Sequence, residues 1–81
     1  MNAKEVFAML GYKQNKKEDY IEYIKTDNTH TSKIIFFTYD KTIQAYKYEN
    51  WKGDDDSFAL SITIQELQVI NYQCKELGWY E

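Results

Sequence analysis

The chain has 81 residues, of which 43% are hydrophobic and 28% charged, with a formal net charge of −3. That makes one small domain, 1–81, too apolar for intrinsic disorder and too short for a second core. All ten basic residues are lysine; lacking arginine, the usual bidentate reader of phosphate and guanine, and with acid in excess, the chain disfavours nucleic acid as a partner.

A single cysteine rules out an internal disulfide, so nothing points to an oxidising compartment. No apolar run reaches the ~18 residues that cross a bilayer. The N-terminus lacks the basic segment and long apolar core of a signal peptide. No membrane association and a cytoplasmic location are expected. Aromatic residues are abundant, with eight Tyr, four Phe and two Trp. They supply large buried area per residue, which suits a chain this short.

In chain order, Asn2 and Glu5 have capping-box spacing and open a short helix over about 2–10. Val6, Phe7 and Leu10 form its apolar side, and Gly11 stands at its C′ position. Lys13 to Asp19 reads as a polar loop. The only local basic cluster, Lys13, Lys16 and Lys17, lies there; a solvated connector is the expected role, with a phosphate-contacting patch the functional alternative.

Three strands are expected next, over about 19–26, 32–39 and 42–50. Turns at Asp27–Thr31 and Asp40-Lys41 separate them. The hairpin at Asp40-Lys41 is expected to pair Thr38 with Ile43, Phe36 with Ala45 and Ile34 with Lys47. One sheet face then carries Ile34, Phe36, Ile43 and Ala45. The other carries Ile35, Phe37, Tyr39, Gln44, Tyr46 and Tyr48, and a slip of one residue would exchange them. Trp51 to Ser57 is a loop, and Phe58–Ile62 alternates as a short strand over about 58–62.

The last third carries the strongest signals. Thr63 and Glu66 form a capping box, Ile62 and Leu67 occupy the positions of a hydrophobic staple, and Gly78 ends the helix at about 63–77. Ile64, Leu67, Ile70, Cys74 and Leu77 make the expected apolar stripe. The endings Leu10-Gly11-Tyr12 and Leu77-Gly78-Trp79 read as one stop device used twice. The fold class is α+β, a single domain with a three- to four-stranded antiparallel meander and a helix at each end, α-β-β-β-β-α.

Chemistry has few carriers here. His30, the only histidine, lies in a polar turn. Cys74 sits on the apolar stripe at the negative end of its helix, the wrong pole for a nucleophilic thiolate. Asp54, Asp55 and Asp56 lack the ligand spacing of a calcium loop. No catalytic residue, metal ligand or cofactor site is expected, and the chain reads as non-enzymatic. What remains is an aromatic sheet face of Ile35, Phe37, Tyr39, Tyr46 and Tyr48, with Trp51 beside it. Such faces mark protein interfaces, for a second copy or another protein. The opposite expectation is that Val6, Phe7 and Leu10 of the N-terminal helix cover it.

The run Ile62-Thr63-Ile64-Gln65-Glu66-Leu67-Gln68-Val69-Ile70-Asn71, followed by Glu76-Leu77-Gly78-Trp79, resembles small phage and prophage proteins of Gram-positive bacteria. The opening Ala3-Lys4-Glu5-Val6-Phe7 with Leu10-Gly11-Tyr12 is similar to theirs too. These proteins are uncharacterised in function. The resemblance implies a phage accessory protein and brings no active-site residue. Two further roles stay open: a nucleic-acid-associated protein using Lys13, Lys16 and Lys17 with the sheet aromatics, and, from the net charge and Asp54–Asp56, an acidic inhibitor of a host nucleic-acid enzyme.

Overall fold

The two helices are set by their ends. In a computed structural model that describes residues 1–80, α1 (Ala3–Met9) starts at Asn2. The Asn2 side chain accepts from the Glu5 N–H at 2.9 Å, and the Glu5 carboxylate accepts from the Asn2 N–H at 3.1 Å. The second helix, α2 (Ile64–Glu76), opens in the same way on Thr63 and Glu66, with bonds of 3.0 and 2.9 Å. They also end alike. The Tyr12 N–H donates to the Phe7 carbonyl and the Gly11 N–H to that of Ala8, each at 3.0 Å. Trp79 and Gly78 repeat the pattern on Cys74 and Lys75. Both are Schellman motifs, with φ +95° at Gly11 and +73° at Gly78.

Between the helices runs an antiparallel meander of five strands in the order β1-β2-β3-β4-β5. They span Lys13–Lys16, Tyr20–Thr26, His30–Phe37, Thr42–Glu49 and Phe58–Ala59. This is a single α+β domain; its last residue, Glu81, lies outside the described residues. The first strand replaces the loop expected from Lys13 to Asp19. Its polar side chains find cross-strand partners: Gln14 donates to the Tyr23 hydroxyl at 3.0 Å, and Asn15 to Glu22 at 3.2 Å. Lysines at both of its ends suit an edge strand, where charge deters pairing with another chain.

The β3–β4 hairpin differs from expectation by two residues. Phe37 pairs with Thr42, Phe36 with Ile43, Ile34 with Ala45 and Ser32 with Lys47. A four-residue loop, Thr38 to Lys41, causes this. Asp40 Oδ1 accepts from the Thr42 hydroxyl at 2.7 Å and its N–H at 3.3 Å, and Lys41 takes φ +59°. A shift of two keeps every side chain on its expected face, because the strand period is two.

Both helices pack on the face of Ile21, Tyr23, Ile34 and Phe36. Phe7 stacks on Tyr23 at 3.7 Å between centroids and meets Tyr12 and Phe36 edge-on at 5.6 and 6.1 Å. Val6, Phe7 and Leu10 therefore join this core, and α1 does not cover the other sheet face.

The stripe on α2 is a correction. Ile64 and Leu67 are 71% and 54% exposed, while Glu66, Val69, Ile70, Gln73 and Cys74 are buried. The helix is turned so that two polar side chains face inward, and tyrosines hold them. The Tyr12 hydroxyl donates to Glu66 Oε2 at 2.5 Å, and the Tyr23 hydroxyl donates to Gln73 Oε1.

Burial alone would raise the Glu66 pKa, but the Thr63 N–H, the Tyr12 hydroxyl and Lys25 outweigh it and hold it below the ordinary glutamate value. The stabilisation that follows is present above the unfolded glutamate pKa of about 4.3 and is lost as pH falls through the lower folded value. Melting temperature should therefore drop on acidification below about pH 4.3, and less steeply in Glu66→Gln; equal slopes would contradict the assignment. Gly11→Ala should cost about 1–2 kcal/mol in denaturant unfolding for its left-handed backbone, because the new Cβ also meets Lys25 Cδ at 3.0 Å.

Candidate functional site: the open sheet face

Alternate residues of β2, β3 and β4 build the face opposite α1 and α2. Cross-strand register orders them in four rows: Tyr20–Phe37–Thr42, Glu22–Ile35–Gln44, Ile24–Lys33–Tyr46 and Thr26–Thr31–Tyr48. Aromatics hold both ends. At one, Phe37 contacts Tyr20 and Tyr39, each at 6.1 Å between centroids. At the other, Tyr46 and Tyr48 stack at 6.4 Å with 27° between planes.

A charge pair occupies the middle. Lys33 Nζ lies 3.7 Å from Glu22 Oε2 and 5.7 Å from the Tyr48 ring centroid. Burial works against the Lys33 ammonium, yet Tyr46, Glu22 and Tyr48 more than offset it and raise its pKa. Burial likewise raises the Tyr46 pKa. The face is thus amphipathic, aromatic at both ends around a shielded ion pair. Its aromatic groups stack, and its tyrosine hydroxyls and the Lys33 ammonium can donate hydrogen bonds.

The six expected interface residues are not one patch. Phe37, Tyr46 and Tyr48 are half-buried on the face, and Ile35 is sunk between its neighbours at 7% exposure. Tyr39 projects from the β3–β4 turn at 74% exposure. Trp51, 79% exposed, lies after β4 at the far end of that strand. It lines a cavity with Asn28, Thr29, His30, Glu49 and Asn50, and its ring carries Lys52 Nζ at 5.1 Å. Sequence reasoning missed Tyr20, Glu22 and Lys33. The parity of β2 and β3 was a usable signal for them, as it was for β4.

The lysines Lys13 and Lys16 stand opposite Ile24 and Ile21, which face opposite sides of the sheet, and Lys17 is in the following turn. They form no common patch. The His30 ring Nδ1 pairs with the Thr29 hydroxyl at 2.8 Å, and its backbone N–H donates to Asp27 at 2.8 Å. Three such bonds from Thr29 and His30 hold the Asp27 pKa down to about 2. Burial pushes the Cys74 thiol up, so it stays protonated. Asp54–Asp56 form an exposed 3-10 turn, tied to Lys52 at 3.5 Å from Asp56. Among the described residues no three His, Cys, Asp or Glu side chains converge as a metal site, and no helix is long and apolar enough to cross a membrane.

No protein-family model, curated protein or solved structure matches the chain.

The two sheet faces should respond differently to truncation. Tyr23→Ala, on the covered face, should cost about 3–5 kcal/mol in urea unfolding. Tyr39→Ala should stay within about 0.5 kcal/mol of wild type, as exposed sites do.

Proposed function

We propose that the chain is a non-enzymatic interaction module, a phage-type accessory protein that binds a second copy of itself or a host protein through its open sheet face. The observation that supports this reading is the one-sided packing of the helices. Both α1 and α2 lie on the face of Tyr23 and Phe36, which leaves Tyr20, Phe37, Tyr46 and Tyr48 half-buried with neither α1 nor α2 over them. Tyrosines of this kind are efficient contacts: they bury much area, lose little entropy on immobilisation and carry a hydroxyl that tolerates water when unbound.

The Lys33–Glu22 pair gives such an interface its selectivity. A partner that buried the pair without matching it would leave charge stranded in a dry contact. A partner surface with a hydrogen-bonding side chain over Lys33, ringed by apolar groups for the tyrosines, would satisfy it.

Size-exclusion chromatography with light scattering tests the reading, using wild type and the double variant Tyr46→Ala, Tyr48→Ser. The expected result is a dimeric wild type and a monomeric, folded variant, or a monomer that retains a purified host partner only with both tyrosines present. A wild type that is monomeric at all concentrations and recovers no partner dependent on these residues would overturn it.

A further inference from the structure

A second site lies on the other side of the sheet, where α2 begins. Lys25, Ser32 and Lys47 are direct cross-strand neighbours on β2, β3 and β4. They form one row on the helix-bearing face, with side-chain origins about 4.5–5.5 Å apart. The row floors a cavity of about 260 Å³, walled by Ser61 and Thr63 of the α2 entry together with Glu66 and Asp27.

Two donors in this cavity have no partner on the protein among the described residues. Ser32 is only 5% exposed, yet among the described residues no protein group hydrogen-bonds its hydroxyl. Among the described residues no side-chain oxygen or nitrogen is sealed in without a partner, so the Ser32 hydroxyl opens on the cavity that it lines. Lys47 is half-buried there, and no carboxylate among the described residues lies within ion-pair distance of it.

The two carboxylates in the wall are already engaged. Asp27 Oδ1 accepts from the Thr29 and His30 N–H groups, each at 2.8 Å. Glu66 accepts from the Thr63 N–H at 2.9 Å and the Tyr12 hydroxyl at 2.5 Å, with Lys25 Nζ 4.0 Å away. Lys25 is thus shared with Glu66 and the Tyr12 ring, 4.9 Å from its centroid, whereas Lys47 and Ser32 have no such partner among the described residues. The positive end of α2 adds to their pull on negative charge. Two lysines flanking a serine on one cross-strand row offer the donor types that an oxyanion takes, and charge-assisted bonds of this kind are the strong ones.

We propose that Lys47, Ser32 and Lys25 bind an oxyanion group, a carboxylate or a phosphate, in the cavity beneath the start of α2. The site faces away from the open aromatic face, so it is independent of the interface reading. A ligand there would bridge β2, β3 and β4 to the helix entry and fix the α2 N-terminus against the sheet.

Proton–nitrogen NMR titration of the whole chain tests this, with inorganic phosphate in one arm and sodium acetate in the other, at ionic strength matched with sodium chloride. Saturable shifts should centre on the amides of Ser32, Lys47 and Thr63 in at least one arm, and the tighter arm names the source of the oxyanion. Ser32→Ala and Lys47→Met, which keep the buried volume and stem, should each weaken binding about tenfold. Lys41→Met, in the distant β3–β4 turn, should leave it unchanged. Shifts that do not saturate in either arm, or that persist equally in Ser32→Ala and Lys47→Met, would overturn the proposal.

Discussion

A tyrosine buried in a small core brings its hydroxyl with it, and that hydroxyl must find a partner or cost the fold about 1–3 kcal/mol. Tyr12 and Tyr23 are both buried beside Phe7, and the acceptors they use are Glu66 and Gln73 on α2. Those two residues are seven apart, two turns along one side of the helix. The pair of bonds therefore fixes the rotation of α2 about its axis. Val69 and Ile70 turn into the core between them, and Ile64 and Leu67 turn out. Glu66 is used twice, since it also closes the capping box with Thr63, so the same carboxylate sets where the helix begins and how it faces.

The consequences spread across the sheet. With α2 held over β2 and β3, and α1 docked beside it through Phe7, the covered face is complete and the opposite face has no helix left to shield it. Its ion pair, Lys33 with Glu22, is a way for an uncovered sheet to tolerate solvent while its aromatics stay packed against neighbours. The same docking leaves the Lys25–Ser32–Lys47 row roofed only by the entry to α2. One hydrogen-bonding constraint inside the core thus determines which side chains remain available outside it.

Much of this was legible in the sequence because it is local. Capping boxes at Asn2/Glu5 and Thr63/Glu66, and the two Leu-Gly-aromatic endings, depend on residues within one turn of each other. The sorting of Ile34 and Phe36 from Ile35 and Phe37 survived a two-residue error in register because only parity mattered. What was not legible depended on distant partners. An apolar stripe cannot reveal that Glu66 and Gln73 turn inward, because their hydroxyl donors lie 54 and 50 residues away. Composition likewise hides β1, whose Gln14 and Asn15 become strand residues only when Tyr23 and Glu22 are there to receive them. The separation of Trp51 from Tyr39 follows from the length of β4, and the Lys25–Ser32–Lys47 row exists only once the register is known.

The orientation of α2 depends on its coupling to the core tyrosines. A double-mutant cycle of Tyr12→Phe and Glu66→Gln, read by urea unfolding at neutral pH, measures it directly. A coupling energy of about 1 kcal/mol or more is predicted, since Tyr12→Phe removes the hydroxyl donor and Glu66→Gln turns a charge-assisted bond into a weaker neutral one. Additivity within about 0.3 kcal/mol would mean that the bond does not orient the helix, and would contradict the account.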